Sequence, residues 1–499
     1  MQMVTRSCGV TLCILLGIAA PRNCRAGEAA AQTGNAWEQK IEPEKLRADF
    51  KLARQALEEG HSGIYRYTAK ENLDDLFDRA EKSLSQPMTM VEFYRVLAPV
   101  VAAIKCGHTE VELSRDIGQD LTAKQRLFPL QVRVLDGKIY VFRDFSGLPA
   151  SPSLAGKEIR SINGVPAARI VDTMLAAASG DGDVQTSRML QIGIWAGFSF
   201  QLFLLMGLSA PYDVVLWDPH EKHELKVRLE GGNVAKLGDA AGYRDQRPRS
   251  AASLKFLDED RIAVLKINRF GGQVLVEGEP QKTLKDFYKE SFSLLKTRGT
   301  KTLILDVRNN GGGAGELGRL LLSYLVDRPF KYYDDLVLNA LDFSFLKYTQ
   351  ITKPTPADLV ERQPNGKYRL VKHPNWGQQQ PSQPTFAGKV FILINGGSFS
   401  TTSEFLSQAH FHKRATFIGE ESGGGYYGNS SGTMPVVTLP HTKVQVRVPL
   451  VTYHMAVSGY KDASRGVIPD HPVHYTIDEL LAGTDKDLAL ALELARKER

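Results

Sequence analysis

The chain has 499 residues, 42% of them hydrophobic, with 62 basic against 56 acidic side chains and a formal net charge of +6. Such a length predicts two to four domains with ordinary globular cores. The mild charge, without a Lys/Arg block interleaved with aromatics, argues against nucleic acid as a partner.

Arg6 precedes an apolar stretch over residues 8–20, and Cys24-Arg25-Ala26 closes it with a small residue before Gly27. This is the form of a secretory signal peptide over residues 1–26, cut after Ala26. A membrane anchor is the alternative, but the stretch is shorter than the roughly 20 residues that a span needs. We therefore expect an exported protein, periplasmic or secreted. Cleavage removes Cys8, Cys13 and Cys24 and leaves Cys106, so no disulfide framework is expected.

Helical periodicity marks residues 37–115: Leu46, Phe50, Ala53 and Leu57, then Leu73, Leu76, Phe77 and Ala80, then Phe93, Leu97, Val100 and Val101. An N-terminal helical domain follows from it. Its last helix stops at Gly107, and His108 stands in the loop before the alternating 110–113. A histidine so placed is either a surface residue or a proton carrier awaiting a partner.

The period changes to two at about residue 125. Residues 128–134 and 139–145 flank Asp136-Gly137, a strong hairpin signal. The order of that hairpin, Ser151-Pro152, Ala155-Gly156, a short strand and Ile162-Asn163-Gly164-Val165-Pro166 resembles PDZ domains, and residues 125–230 are read as a PDZ-like module. Where PDZ domains carry a Gly-rich carboxylate-binding loop, this chain has Arg126-Leu127-Phe128-Pro129-Leu130, and a helical insertion over 170–208 interrupts the module. The apolar part of that insertion, 190–208, approaches span length, but Gln191, Ser199 and Gln201 interrupt it. It is read as a buried or groove-lining helix rather than a stable membrane span, with a membrane-touching surface as the alternative.

From residue 252 to 485 the pattern is strand, helix, buried strand 302–306, the run Val307-Arg308-Asn309-Asn310-Gly311-Gly312-Gly313, and another helix. That alternation predicts an α/β core with a parallel sheet. The glycine run lacks both nucleotide-binding spacings, so an oxyanion hole is the better reading than a phosphate cradle. A second buried strand, 390–394, ends in Asn395-Gly396-Gly397, and Ser398-Phe399-Ser400 leads into a helix from Thr401. A hydroxyl at such a strand-to-helix turn lies beside unpaired backbone N–H groups and is a candidate nucleophile. Helix capping by Ser398, Ser400 or Thr402 is the competing reading.

Taken together, "DVRNNGGG" at 306–313, "NGGSFS" at 395–400, "RATFIGEESGG" at 414–424 and "GVIPD" at 466–470 resemble the serine peptidases that include the C-terminal processing proteases and the tricorn core protease. The resemblance implies a core of the ClpP/crotonase-like type, Ser400 as nucleophile, and Gly312, Gly313 and Thr401 as oxyanion donors. The lysine of the processing-protease branch is missing from 420–425, whereas "CGHT" at 106–109 is similar to the histidine segment of tricorn-type members. It implies His108 as general base and a carboxylate from the loop before "GVIPD", for which Asp462 stands nearest. Gly107 occupies the place of a hydroxyl residue that such members carry before the histidine. The expected activity is serine endopeptidase action on extracytoplasmic polypeptides, with no metal or cofactor. The alternatives are a catalytically silent ligand-binding protein on the same fold and an esterase-type acyl hydrolase.

Overall fold

The computed structural model describes residues 35–147, 153–233, 248–259, 261–351 and 355–497; the expected signal peptide lies outside them, as do parts of the 146–166 and 233–251 segments. Three amphipathic helices, Pro43–Gly60, Lys70–Ser83 and Met90–Ala102, open the described chain. Thr89 and Glu92 form a reciprocal capping box at the third, which satisfies two N-terminal donors. Leu46, Phe50, Leu57, Phe77, Phe93 and Leu97 on their inner faces are buried. They share that core with Phe345, Val437, Val444 and Val446, contributed from much later in the chain. The strand Val111–Leu113 completes the link by pairing antiparallel with Val444–Arg447.

An antiparallel sheet follows, in the order Leu130–Leu135, Lys138–Asp144, Glu158–Ile162, Tyr212–Asp218, His223–Leu229. Asp136 and Gly137 both take positive φ, 49° and 74°, as the tight hairpin turn between its first two strands requires. The insertion is three helices, Ala167–Ala177, Thr186–Gly193 and Trp195–Met206. Its apolar residues divide between two cores: Phe198 and Leu202 pack under the sheet, Phe200 and Leu204 against the N-terminal helices. That division accounts for an apolar surface all around the last helix. Among the described residues no single helix is long and apolar enough to cross a membrane; the last two together pass on length and composition, but they bend by 95°.

The remainder is built on a sheet whose strands lie in chain order from one edge to the other: Ala252–Leu257, Ile262–Ile267, Thr302–Asp306, Lys389–Ile394, Thr416–Gly419 and His471–Pro472. All neighbours are parallel except the first pair. Side chains alternate between two apolar layers. Leu303, Leu305, Val390 and Ile392 face helices Leu284–Thr297, Gly315–Ser323 and Thr401–Phe411; Ile304, Phe391 and Leu393 face helix Lys486–Lys497. Burial on both sides is why these strands read as unbroken apolar runs. The parallel sheet also sets the site, because the Gly-rich turn after Asp306 and the serine turn after Ile394 emerge side by side at the same end of adjacent strands.

Candidate active site

Ser400 occupies a backbone conformation that L-residues seldom adopt, with φ 57° and ψ −126°, directly before helix Thr401–Phe411. Its side chain does not cap that helix. The neighbouring hydroxyls are tied to backbone carbonyls: Ser398 Oγ donates to Val307 O at 2.8 Å, Thr401 Oγ1 to Gly313 O at 2.9 Å, Thr402 Oγ1 to Asn310 O at 2.8 Å and Ser403 Oγ to Ser398 O at 2.8 Å. These bonds hold the turn rigid. Ser400 Oγ instead lies 3.1 Å from Nε2 of His108, a residue 292 positions away in sequence.

The loop carrying His108 is stitched in place by another loop, 181–183. Gly107 N–H donates to Asp181 Oδ1 at 2.7 Å, Gly182 N–H to Lys105 O at 3.0 Å, and Lys105 Nζ pairs with Asp183 at 2.6 Å. The other Asp181 oxygen accepts the Gly425 N–H at 3.2 Å, and the adjoining Gly423 and Gly424 donate to Ser398 O and Ser403 Oγ. A continuous chain of hydrogen bonds therefore runs from the serine turn through the 423–425 glycines and Asp181 to the histidine loop. Gly107 is required by packing: a Cβ there would come within 2.6 Å of the Phe399 ring. That ring also stacks at a tilt against His108, centroids 4.7 Å apart.

His108 is fully buried, and burial lowers its pKa to about 3, with the Arg447 and His61 charges adding to the shift. Its imidazole is neutral at physiological pH and has a lone pair to offer. Its Nδ1 has no hydrogen-bond partner among the described residues. A ring nitrogen of His108, the Cys106 sulfur and a carboxylate oxygen of Asp181 all lie within 4.8 Å of one another. Burial raises the Asp181 pKa, while the two backbone N–H groups that it accepts pull it back down.

The structure does not bring Asp462 to this group. Asp462 is exposed, and its Oδ1 accepts the N–H and hydroxyl of Ser464 at 2.9 and 2.8 Å. Its loop nonetheless touches the right neighbour, since Asp183 N–H donates to Ser464 O at 2.7 Å. Asp181 leaves little trace in the sequence, because Ser179-Gly180-Asp181-Gly182-Asp183 reads as a polar turn inside an insertion. The one hint was the placing of a Gly-Asp repeat between two apolar helices, where a plain linker would serve.

Gly312 and Gly313 have φ of 102° and 140°, a region that favours glycine. A Cβ on Gly312 would lie 2.8 Å from Ser400 Cβ and 3.0 Å from Thr401 N, so the glycine lets this turn press against the serine. The Gly312 N–H is engaged by Asn310 Oδ1 at 3.0 Å. The N–H groups of Gly313 and Thr401 find no acceptor among the described residues. No lysine bonds to Ser400 among those residues; Lys443 is exposed and donates to Pro440 O. A cavity of about 140 Å³ between the N-terminal helices and the insertion is lined by Tyr94, Leu113, Phe200 and Leu204. Its walls include neither Ser400 nor His108, so it is not the reacting cleft.

A parallel sheet with a glycine turn beside a strained serine turn is the framework of a serine peptidase. Residues 261–473 match the model of peptidase family S41. Among solved structures it is similar to mature CPAF complexed with lactacystin, at 14% identity over 91% of this chain and 99% of that one, with a TM-score of 0.62. It is also similar to mature CPAF at 15% identity, over 88% of this chain and 94% of that one, with a TM-score of 0.57. At such identities the likeness is one of fold. No curated protein matches in sequence.

Proposed function

We propose that this serine peptidase is an endopeptidase of extracytoplasmic polypeptides, acting through an acyl-enzyme on Ser400 with His108 as general base. The observation that carries the reading is the 3.1 Å approach of Ser400 Oγ to His108 Nε2 at a strained turn whose other hydroxyls are all committed to backbone carbonyls. Ser400 Oγ bonds to the scissile carbonyl carbon while its proton passes to Nε2. The carbonyl oxygen becomes an oxyanion facing the Gly313 and Thr401 N–H groups, with Gly312 shaping the approach. The C–N bond then breaks, and the Nε2 proton goes to the leaving amine. Water repeats the sequence on the acyl-serine and frees the carboxylate.

Forming the imidazolium in a buried site needs a compensating anion. Asp181 supplies it in this reading, rather than Asp462, because Asp181 is buried beside His108 and anchored by two N–H groups. A carboxylate oxygen of Asp181 lies within 4.8 Å of a ring nitrogen of His108, and the contact tightens in this reading when substrate binds. Residues 1–26 are read as the segment that directs export.

Ser400→Ala should abolish both peptide hydrolysis and labelling by a fluorophosphonate while leaving the circular dichroism spectrum unchanged. Full hydrolysis by a folded Ser400→Ala protein would refute the assignment. Turnover of an ester with none of the matching amide would move the protein to the esterase class.

A further inference from the structure

We propose that Cys106, His108 and Asp181 form a site for a zinc-type divalent cation, and that filling it switches the peptidase off. The metal site rests on the donor cluster alone; the switch also rests on the peptidase reading above. One sulfur, one imidazole nitrogen and one carboxylate oxygen lie within 4.8 Å of one another, and all three residues are at most 5% exposed. Bonds from zinc to sulfur, nitrogen and oxygen run about 2.0–2.3 Å, so tetrahedral donors sit roughly 3.3–3.8 Å apart. Closing to that separation takes movements of about 1 Å or less from each side chain. The donor types suit zinc, which accepts thiolate, imidazole and carboxylate together.

A second observation points to a ligand here. His108 Nδ1 is buried and without a partner, whereas ligating and catalytic imidazoles both normally have the second nitrogen engaged. Since Nε2 faces Ser400, Nδ1 is the nitrogen left for a cation. Asp181 keeps lone pairs free, because each of its oxygens accepts one backbone N–H. Cys106 is held as the neutral thiol by burial, so the cation binds with loss of the thiol proton to solvent.

The consequence for hydrolysis follows from the tautomer. A base at Nε2 needs its proton on Nδ1, directed at an anion. A cation on Nδ1 takes that lone pair and leaves the proton on Nε2, where the ring donates to Ser400 and accepts nothing from it. The same cation ties up the Asp181 carboxylate.

Two arms test this. Full-chain Ser400→Ala protein is titrated with Co²⁺, whose thiolate complexes absorb by charge transfer in the near ultraviolet, beside the same protein carrying Cys106→Ser. The difference isolates Cys106 from the three cysteines of the first 26 residues. One Co²⁺ per chain should give a charge-transfer band that Cys106→Ser lacks, with Zn²⁺ displacing it and binding at least about tenfold more weakly to the variant. In active protein, Zn²⁺ should lower kcat/KM by more than about tenfold, a chelator should restore it, and Cys106→Ser should resist. Equal bands in both proteins, or no band from a folded Ser400→Ala chain, overturns the site. A Cys106-dependent band without inhibition overturns the switch. If the wild-type chain hydrolyses no peptide, the peptidase reading fails and the cobalt result stands by itself.

Discussion

The pH dependence of hydrolysis is the sharpest test of the buried imidazole. An unperturbed histidine would make kcat/KM rise through about pH 6.5, and nothing in the sequence distinguishes His108 from that case. In the structure, burial, reinforced by the Arg447 and His61 charges, takes its pKa to about 3. At about 1.4 kcal/mol for each pH unit, the imidazolium is disfavoured by roughly 5 kcal/mol, as an order of magnitude. The sign is definite. A folded pKa below the unfolded value keeps the base deprotonated as the pH falls, so kcat/KM for a fluorogenic peptide amide should stay flat from pH 8 to about 5 in chelator-treated protein. The same shift means that the stability contributed above pH 6.5 is lost as the pH falls towards 3, so each point needs circular dichroism to separate unfolding from titration. The low basicity also sets the task of Asp181. Asp181→Asn keeps hydrogen-bonding atoms but removes the charge that faces the forming imidazolium, and kcat should fall about 10²–10⁴-fold with KM little changed. An inflection at pH 6–7 in wild-type protein, or Asp181→Asn at the wild-type rate, would refute this reasoning.

Further expectations follow from the same geometry. Gly312→Ala puts a methyl group 2.8 Å from Ser400 Cβ at a φ of 102°, and should cost about 1–3 kcal/mol of stability and at least about 10²-fold in kcat, read by thermal melts and steady-state rates. Asp462→Asn and Lys443→Ala alter exposed groups bonded within their own turns, so both variants should keep near wild-type rates; a dead Lys443→Ala protein beside an active His108→Ala would move catalysis to a serine–lysine pair. If the 125–230 module grips an extended peptide, amidating the C-terminus of a substrate should change turnover less than about threefold, because Leu127 exchanges both backbone hydrogen bonds with Gly232 and has no N–H left for a carboxylate. A loss above tenfold on amidation would show that the terminal carboxylate is read.

The serine turn and its sheet were legible in the linear chain because local chemistry specifies them. Unbroken apolar runs at 302–306 and 390–394 demand burial on both faces; after the first, Gly312 and Gly313 take positive φ, and after the second, Gly396 and Gly397 leave no room for a Cβ. The helical faces of the N-terminal segment were equally plain, since Leu46, Phe50, Phe77 and Leu97 sit at helical spacing and are buried. Strand periodicity could not reveal that these helices share a core with residues 437–448, or that Val111–Leu113 pairs with Val444–Arg447. Pairing partners far apart in sequence leave no local trace.

The residues themselves thus determined the kind of turn that holds Ser400 and the kind of sheet that presents it. The tertiary structure alone decided what faces that serine. By its local pattern His108 is any loop histidine, and the resemblance of "CGHT" is what marks it as a base; packing against Phe399 and bonding to the 181–183 loop put its Nε2 3.1 Å from the hydroxyl. Asp181 looked like a turn residue until Gly107 and Gly425 converged on its carboxylate. Burial then separated it from Asp462, which keeps the same functional group in water. A side chain's type is written in the sequence, but its neighbours and its dielectric surroundings, which set proton affinity and reach, exist only once the chain has folded.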